Sequence, residues 1–136
     1  MKTLKDMLSN DRFAAEAGVE LLEVREGYAR ARMQVTERHL NGGSVCQGGA
    51  LFTLADLAFA AVANSRNQLT LSLNAHITFF HSVSSGYVYA EAVEVYAHAK
   101  IPYVEVRLVD EAGNPIAQFC SSGYRKNVSL DLEGLM

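Results

Sequence analysis

One segment, residues 48–65, limits the possible folds of this 136-residue chain more than any other. It reads GGALFTLADLAFAAVANS and holds a single charged side chain, Asp56. Its apolar residues recur at helical spacing on one face and also fill the remaining faces, which is typical of a buried helix. The segment is shorter than the roughly 20 residues that a membrane span needs. The sequence therefore predicts a buried helix over about 48–65 that the rest of the chain must surround.

Patterns on either side of this helix predict the remaining elements. Residues 3–17 are predicted to be helical, with a possible second N-cap at Asn10 or Asp11. Alternating apolar and polar side chains predict strands within 19–35, around a turn at Glu26-Gly27, and at about 70–80, 87–97, 102–110 and 115–125. The predicted class is α+β, in a single domain of residues 1–136: a short N-terminal helix, then an antiparallel sheet that wraps around one long central helix and ends in a four-strand meander.

Such a sheet covers only part of the circumference of the central helix. A second copy of the chain is the simplest cover for the rest, so the sequence predicts a homodimer, and pairs of dimers remain open.

Charge and composition exclude several functions. The net charge is −3 and no run of Lys or Arg occurs, which argues against a nucleic-acid surface. Cys46 and Cys120 form no CxxC pair, and the four histidines lack metal spacing, so no metal site is predicted. The N-terminus has no apolar signal-peptide region, and we expect a cytoplasmic protein without a membrane segment.

Asp56 is the only ionisable side chain between Gln47 and Arg66. A carboxylate among apolar residues is costly unless a partner binds it or its pKa shifts. One interpretation is a structural hydrogen bond, for example to Thr53. The other is a general base or nucleophile that faces a pocket.

Gly48 and Gly49 open the predicted helix and would present unpaired backbone N–H groups at the positive end of its dipole. Without side chains there, a ligand oxygen can approach closely, as in an oxyanion hole. Asp56 lies eight residues further on, roughly 12 Å along a helix. One reacting carbonyl cannot contact both groups. If they cooperate, they come from two chains, which predicts two sites per dimer.

The stretch NGGSVCQGGALFTLADL, followed by four predicted strands, resembles the hotdog-fold acyl-CoA thioesterases of the 4-hydroxybenzoyl-CoA thioesterase superfamily, in particular the phenylacetyl-CoA thioesterase-like branch. The resemblance implies that Asp56 attacks the thioester or activates water. It implies that the Gly48 N–H polarises the thioester carbonyl and that Asn41 lies near the acyl group or the water. It also implies coenzyme A bound along the dimer seam, with no metal or redox cofactor.

Three positions depart from the family pattern. Gln47 replaces the usual His and cannot titrate near neutral pH, although it can still form hydrogen bonds in the site. Leu57 replaces a frequent Thr or Ser, and His81 stands where an Arg is common.

Further candidate substrate contacts complete the predicted site. Ala58, Phe59 and Ala63 are candidates for the acyl pocket wall. Arg125 and Lys126, at the end of the last predicted strand, and Arg66 are candidates for contacts with the phosphates of coenzyme A. The full set of candidate substrate-binding residues is Gly49, Leu57, Ala58, Phe59, Phe80, His81, Arg125 and Lys126.

The leading functional hypothesis is hydrolysis of an acyl-CoA with an aryl or short-to-medium acyl group. The alternatives are a non-catalytic acyl-CoA sensor and a hydroxyacyl-thioester dehydratase, which Gln47 disfavours.

Overall fold

The computed structural model describes residues 2–136. Two short helices, α1 (Leu4–Leu8) and α2 (Arg12–Glu16), precede the strands β1 (Val19–Arg25) and β2 (Tyr28–Val35). A 3-10 turn (Glu37–His39) leads into the central helix α3 (Gly48–Ala63). The remaining strands are β3 (Gln68–Phe79), β4 (Gly86–Tyr96), β5 (Tyr103–Asp110) and β6 (Pro115–Ser129). The α+β hotdog architecture predicted from the sequence is confirmed.

The six strands form one antiparallel sheet in the order β1-β2-β4-β5-β6-β3. The predicted four-strand meander is wrong in one respect, because β3 pairs with β6 at the far edge and not with β4. Alternation identifies a strand and its two faces, but it carries no information on which neighbour the strand joins.

Small residues let the sheet curve closely around α3. Ala29 and Ala31 on β2 lie opposite Ala92 and Ala90 on β4, and all four side chains are fully buried. The helix ends two residues earlier than predicted, at Ala63. Asn64 follows it and uses its side chain to accept from the Thr70 N–H at 2.8 Å and to donate to the Ala60 carbonyl at 2.9 Å. The end of the helix is thereby tied to β3.

The N-terminal helical region is interrupted at residues 9–11. Thr3 and Asp6 form a capping box on α1, and Asp11 caps α2 by accepting from the Ala14 N–H, as one of the two predicted N-caps. The last residues return to α1, where the Gly134 carbonyl accepts from the Leu4 N–H at 3.0 Å.

The strand β3 is an edge strand of twelve residues with exposed apolar side chains. Leu71, Leu73 and Phe79 are 50%, 56% and 49% exposed. Long apolar edges pair readily with another chain, and natural proteins blunt them when they stay monomeric. Within residues 2–136, no helix is both long and apolar enough to cross a bilayer.

Candidate active site

The N-terminus of α3 offers free backbone donors. Gly48 and Gly49 occupy the first two positions of the helix, where no earlier carbonyl is available within the helix. Gln47 is the N-cap, and its own side chain makes no capping hydrogen bond. The two amides are therefore available to an oxygen of a bound ligand, with the helix dipole adding to their attraction.

Asn41 shapes the loop that leads to this helix. Its Oδ1 accepts from the N–H groups of Gly43 at 2.8 Å and Val45 at 3.3 Å. Its backbone N–H donates to the Val45 carbonyl at 2.8 Å, and Ser44 adopts a left-handed φ of 62°. The side-chain carbonyl is thus committed to the loop, and only the amide nitrogen of Asn41 is left for a ligand.

His39 holds the same loop to α2, a role that sequence reasoning missed. The backbone N–H of Thr36 donates to Nδ1 at 2.9 Å, so Nε2 carries the proton and donates to the Ala17 carbonyl at 2.6 Å. The His39 carbonyl then accepts from the Gln47 N–H at 2.7 Å. In the sequence, only the three-residue spacing between Thr36 and His39, which is typical of a helix cap, points to this role. The other partner of the ring, Ala17, lies 22 positions away and could not be foreseen.

Two cavities flank the start of α3. The α2-side cavity, of about 360 Å³, brings together the predicted residues Gln47 and Gly49; it is also lined by Phe13, Glu16, Ala17, Arg38, His39, Leu40, Ala50 and Thr53. The β3-side cavity, of about 370 Å³, brings together the predicted residues Gly48, Phe80 and His81; its other lining residues are Val45, Cys46, Leu51, Phe79 and Ser82. A group bound at the helix amides has space on both sides.

Gly48 is the point where this second cavity meets the helix. A Cβ atom on Gly48 would lie 2.9 Å from Cζ of Phe79, so even alanine would force the ring to move. The absent side chain keeps the backbone open to the cavity.

Asp56 is half-buried on α3 and borders neither cavity. Burial raises the pKa of its carboxyl, and the nearby charge of Asp11 raises that pKa further. Thr53 does not bind Asp56, because its hydroxyl donates to the Gly49 carbonyl at 2.9 Å. Within residues 2–136 no hydrogen bond is made to the Asp56 carboxylate, so the structural hydrogen bond considered as one alternative is absent.

The other predicted substrate contacts lie away from these cavities. Ala58, Phe59 and Ala63 are at most 2% exposed, and Phe59 packs against Phe119 in the protomer core. Leu57 is buried and borders a separate groove beside α1 and α2. Phe59 and its neighbours therefore do not form the wall of either cavity, contrary to the prediction. The sequence could not show this, because a helix that is apolar on every face gives no sign of which face meets the sheet.

Arg125 is also placed differently from the prediction. It was expected at the end of the last strand, but β6 continues to Ser129 and Arg125 points inward. There it binds Glu94 at 3.3 Å, and Arg66 binds the same carboxylate. Both guanidinium groups are thus bound to Glu94. Of the neighbours Arg125 and Lys126, only Lys126 is exposed. Within residues 2–136, no group of three or more His, Cys, Asp or Glu side chains is arranged to hold a metal.

Known proteins share this sequence pattern. A profile of the thioesterase superfamily matches residues 43–117. A putative esterase of Archaeoglobus fulgidus is 36% identical over 129 residues, which cover 93% of this chain and 84% of that protein. The acyl-coenzyme A thioesterase PaaI of Escherichia coli is 31% identical over 120 residues, which cover 88% of this chain and 86% of that protein.

Solved structures share the fold. The structure of E. coli PaaI, from the phenylacetic acid degradation operon, superposes with a TM-score of 0.87 at 28% identity and covers 90% of each chain. A hypothetical thioesterase of Streptococcus pneumoniae with coenzyme A has a TM-score of 0.80 at 18% identity, covering 87% of this chain and 95% of that one. The chain therefore belongs to the thioesterase superfamily, a family of thioester hydrolases, as a hotdog-fold member of its PaaI-like branch.

Proposed function

We propose that the protein hydrolyses an acyl-CoA with an aryl or short-to-medium acyl group, releasing the free acid and coenzyme A. The observation that carries the proposal is the open start of α3, where the free amides of Gly48 and Gly49 lie between two cavities. A PaaI relative named as an acyl-coenzyme A thioesterase supports the substrate class. The reaction is proposed to need no metal or redox cofactor, and a cytoplasmic location stays a prediction.

The proposed chemistry divides the work between two protomers. The thioester oxygen accepts from the Gly48 N–H, which stabilises the negative charge that develops when the carbonyl is attacked. Asp56 of the other protomer takes a proton from the attacking water, or attacks the carbonyl itself. A helical rise of about 12 Å between Gly48 and Asp56 of one chain prevents both from serving the same carbonyl.

The homodimer that this scheme requires is supported by β3. Its free edge carries unpaired backbone groups, and the half-exposed side chains of Leu71, Leu73 and Phe79 would be removed from water by a second copy. Asp56 remains half-exposed on α3, so a partner chain can reach it. Pairing of two such dimers into a tetramer stays a prediction.

Turnover by the purified protein tests the proposed function. Coenzyme A release from benzoyl, phenylacetyl and C2–C10 acyl-CoAs would be followed with a thiol reagent. We expect turnover of at least one of these thioesters. Tight binding of coenzyme A without turnover of any of them would instead favour the sensor hypothesis.

Mixed dimers test the shared site. Asp56→Asn and Gly48→Val homodimers are each expected to be nearly inactive, the second because its side chain blocks the helix amide. When equal amounts are unfolded and refolded together, half of the dimers combine one chain of each kind and hold one intact site. Activity should return to about a quarter of the wild-type value. A mixture no more active than its components would show that each site lies within one chain.

Two substitutions of Asn41 separate its loop role from substrate contact. Asn41→Asp keeps an acceptor for the N–H groups of Gly43 and Val45 but removes the amide donor. If the side chain serves only the loop, this variant keeps kcat within about threefold of wild type, whereas Asn41→Ala loses about 1 kcal/mol of stability and some activity. A tenfold or greater fall in kcat for Asn41→Asp, with unchanged melting temperature, would assign the amide nitrogen to the substrate or the water.

A further inference from the structure

The β3-side cavity contains two ionisable side chains, Cys46 and His81. Burial raises the pKa of the Cys46 thiol to about 11, so Cys46 stays a neutral thiol under physiological conditions. Imidazole is the side chain that gains and loses a proton near neutral pH. His81 is therefore the one group lining this cavity that is suited to proton transfer.

Hydrogen bonds hold both the side chain and the backbone of His81 in place. Its ring Nδ1 lies 2.8 Å from the Pro115 carbonyl oxygen, which can only accept, so Nδ1 carries a proton. The backbone around it is fastened to β6, because the N–H groups of Phe80 and His81 donate to the Ile116 carbonyl at 2.8 and 3.3 Å. On the other side, the Cys46 N–H donates to the Val83 carbonyl at 2.7 Å.

This arrangement leaves Nε2 free to change its protonation state. The bond from Nδ1–H to Pro115 persists whether Nε2 carries a proton or not. His39 offers a contrast within the same chain, since its Nδ1 accepts from a backbone N–H and a second ring proton would break that bond. His81 can thus cycle between its two forms without moving, and His39 cannot.

Among residues 2–136, no other charged group is placed to compete for this proton. The turn before Pro115 carries Asp110 and Glu111. The Asp110 carboxylate accepts from the N–H groups of Ala112 and Asn114, and Glu111 accepts from the Tyr87 N–H. The segment from Val45 to Leu51, which forms the opposite wall, contributes only Cys46.

We propose that His81 protonates the sulfur of the leaving coenzyme A thiolate in the reaction proposed above, on which this step rests. In that reaction the carbonyl oxygen of the thioester accepts from the Gly48 N–H, and Gly48 and His81 line the same cavity. As the tetrahedral intermediate collapses, the electron pair of the C–S bond moves to sulfur and the proton on Nε2 follows it. The proton that Asp56 took from water leaves through solvent, and Nε2 is reprotonated from solvent. The products are the acid and the neutral thiol.

A leaving-group comparison tests the step with His81→Gln, because glutamine keeps a donor for Pro115 but cannot supply a proton. The same acyl group would be presented on coenzyme A, on N-acetylcysteamine and on 4-nitrothiophenol. The first two are alkyl thiols that gain from protonation, whereas the third leaves readily as a thiolate. We expect kcat to fall about 10- to 100-fold for the two alkyl thioesters and less than about threefold for the aryl thioester.

The pH dependence supplies a second readout. Only the wild type carries a side chain at position 81 that can give a proton to the sulfur, so the pH profiles of wild type and His81→Gln on the alkyl thioesters should differ, whereas their profiles on the aryl thioester should coincide. His98→Gln is the matched control, since His98 lies exposed between β4 and β5, borders neither cavity and accepts from the Lys100 and Ile101 N–H groups, as a glutamine oxygen also can. It should match wild type on all three substrates.

Equal loss on all three thioesters, or no loss on any, would overturn the proton-transfer step while leaving the hydrolase function in place. If wild type turns over none of the three, the proposed function fails, and this step fails with it.

Discussion

Replacing Asp56 with asparagine is expected to reduce kcat for acyl-CoA hydrolysis by about 10²- to 10⁴-fold, the usual contribution of a positioned general base. Asparagine has nearly the same shape and keeps the half-buried position, but it can neither accept a proton from water nor attack the thioester. The thiol-release assay on the best acyl-CoA of the panel measures the loss. Asp11→Asn is the matched control, because Asp11 acts on Asp56 only through its charge and caps α2 through an oxygen that asparagine retains.

The pH profile of the same pair of variants checks the assignment. A general base works only when deprotonated, and burial together with Asp11 raises the pKa of the Asp56 carboxyl. Wild-type activity should therefore fall on acidification at a higher pH than an ordinary carboxyl would give. Removing the Asp11 charge lowers that pKa and should shift the acid limb to lower pH without reducing the plateau. A loss of less than threefold in Asp56→Asn would remove Asp56 from the chemistry, whereas an unmoved limb in Asp11→Asn would leave burial as the sole cause of the raised pKa.

The Asp56→Asn substitution should increase the stability of the folded protein at the same time as it reduces activity. A carboxyl whose pKa is raised on folding binds more protons in the folded than in the unfolded state, so stability falls as pH rises through its titration. Asp56→Asn removes that loss and should raise the melting temperature at pH 8, with little difference from wild type at pH 4. A structural Asp56 with a hydrogen-bond partner would give the reverse, a variant that melts lower at pH 8.

The sequence predicted the helix and its environment because their signals are local. Twelve apolar positions around one carboxylate are compatible only with a buried helix, and Gly48 and Gly49 identify its first turn. The interaction that ends the helix is less local, since Asn64 reaches across to Thr70 on β3. That explains why the predicted end at residue 65 lies two residues beyond Ala63.

The parts that could not be predicted depend on packing between distant segments. An amphipathic helix has a polar face that shows which side is exposed, but α3 has none beyond Thr53 and Asp56. Phe59 was therefore assigned to a pocket although it lies in the core. The neighbour of β3, the Ala17 partner of His39 and the tautomer of His81 are likewise set by residues more than 20 positions away.

Glu94→Gln is expected to give the largest loss of stability. The Glu94 side chain is 2% exposed and binds two guanidinium groups, Arg66 at 2.6 Å and Arg125 at 3.3 Å. Through them it joins the end of α3 to β6, and its own N–H donates to the Gly27 carbonyl in the β1–β2 turn. Glutamine preserves the size but leaves Arg125 without a counter-charge, and Nε of Arg125 already lacks a partner.

Removing one member of a buried ion pair costs about 3–5 kcal/mol, because the remaining charge stays desolvated. Arg66 is still 32% exposed and water can solvate it in part, so we expect about 3 kcal/mol in urea or thermal unfolding. The control is Glu91→Gln on the outer face of the same strand, where the exposed carboxylate accepts from the Tyr28 hydroxyl; its loss should stay below about 1 kcal/mol. Equal losses in the two variants would mean that the Glu94 cluster behaves as a surface pair. A further variant, Arg125→Met in the Glu94→Gln background, should recover part of the lost stability, because it removes the uncompensated buried charge.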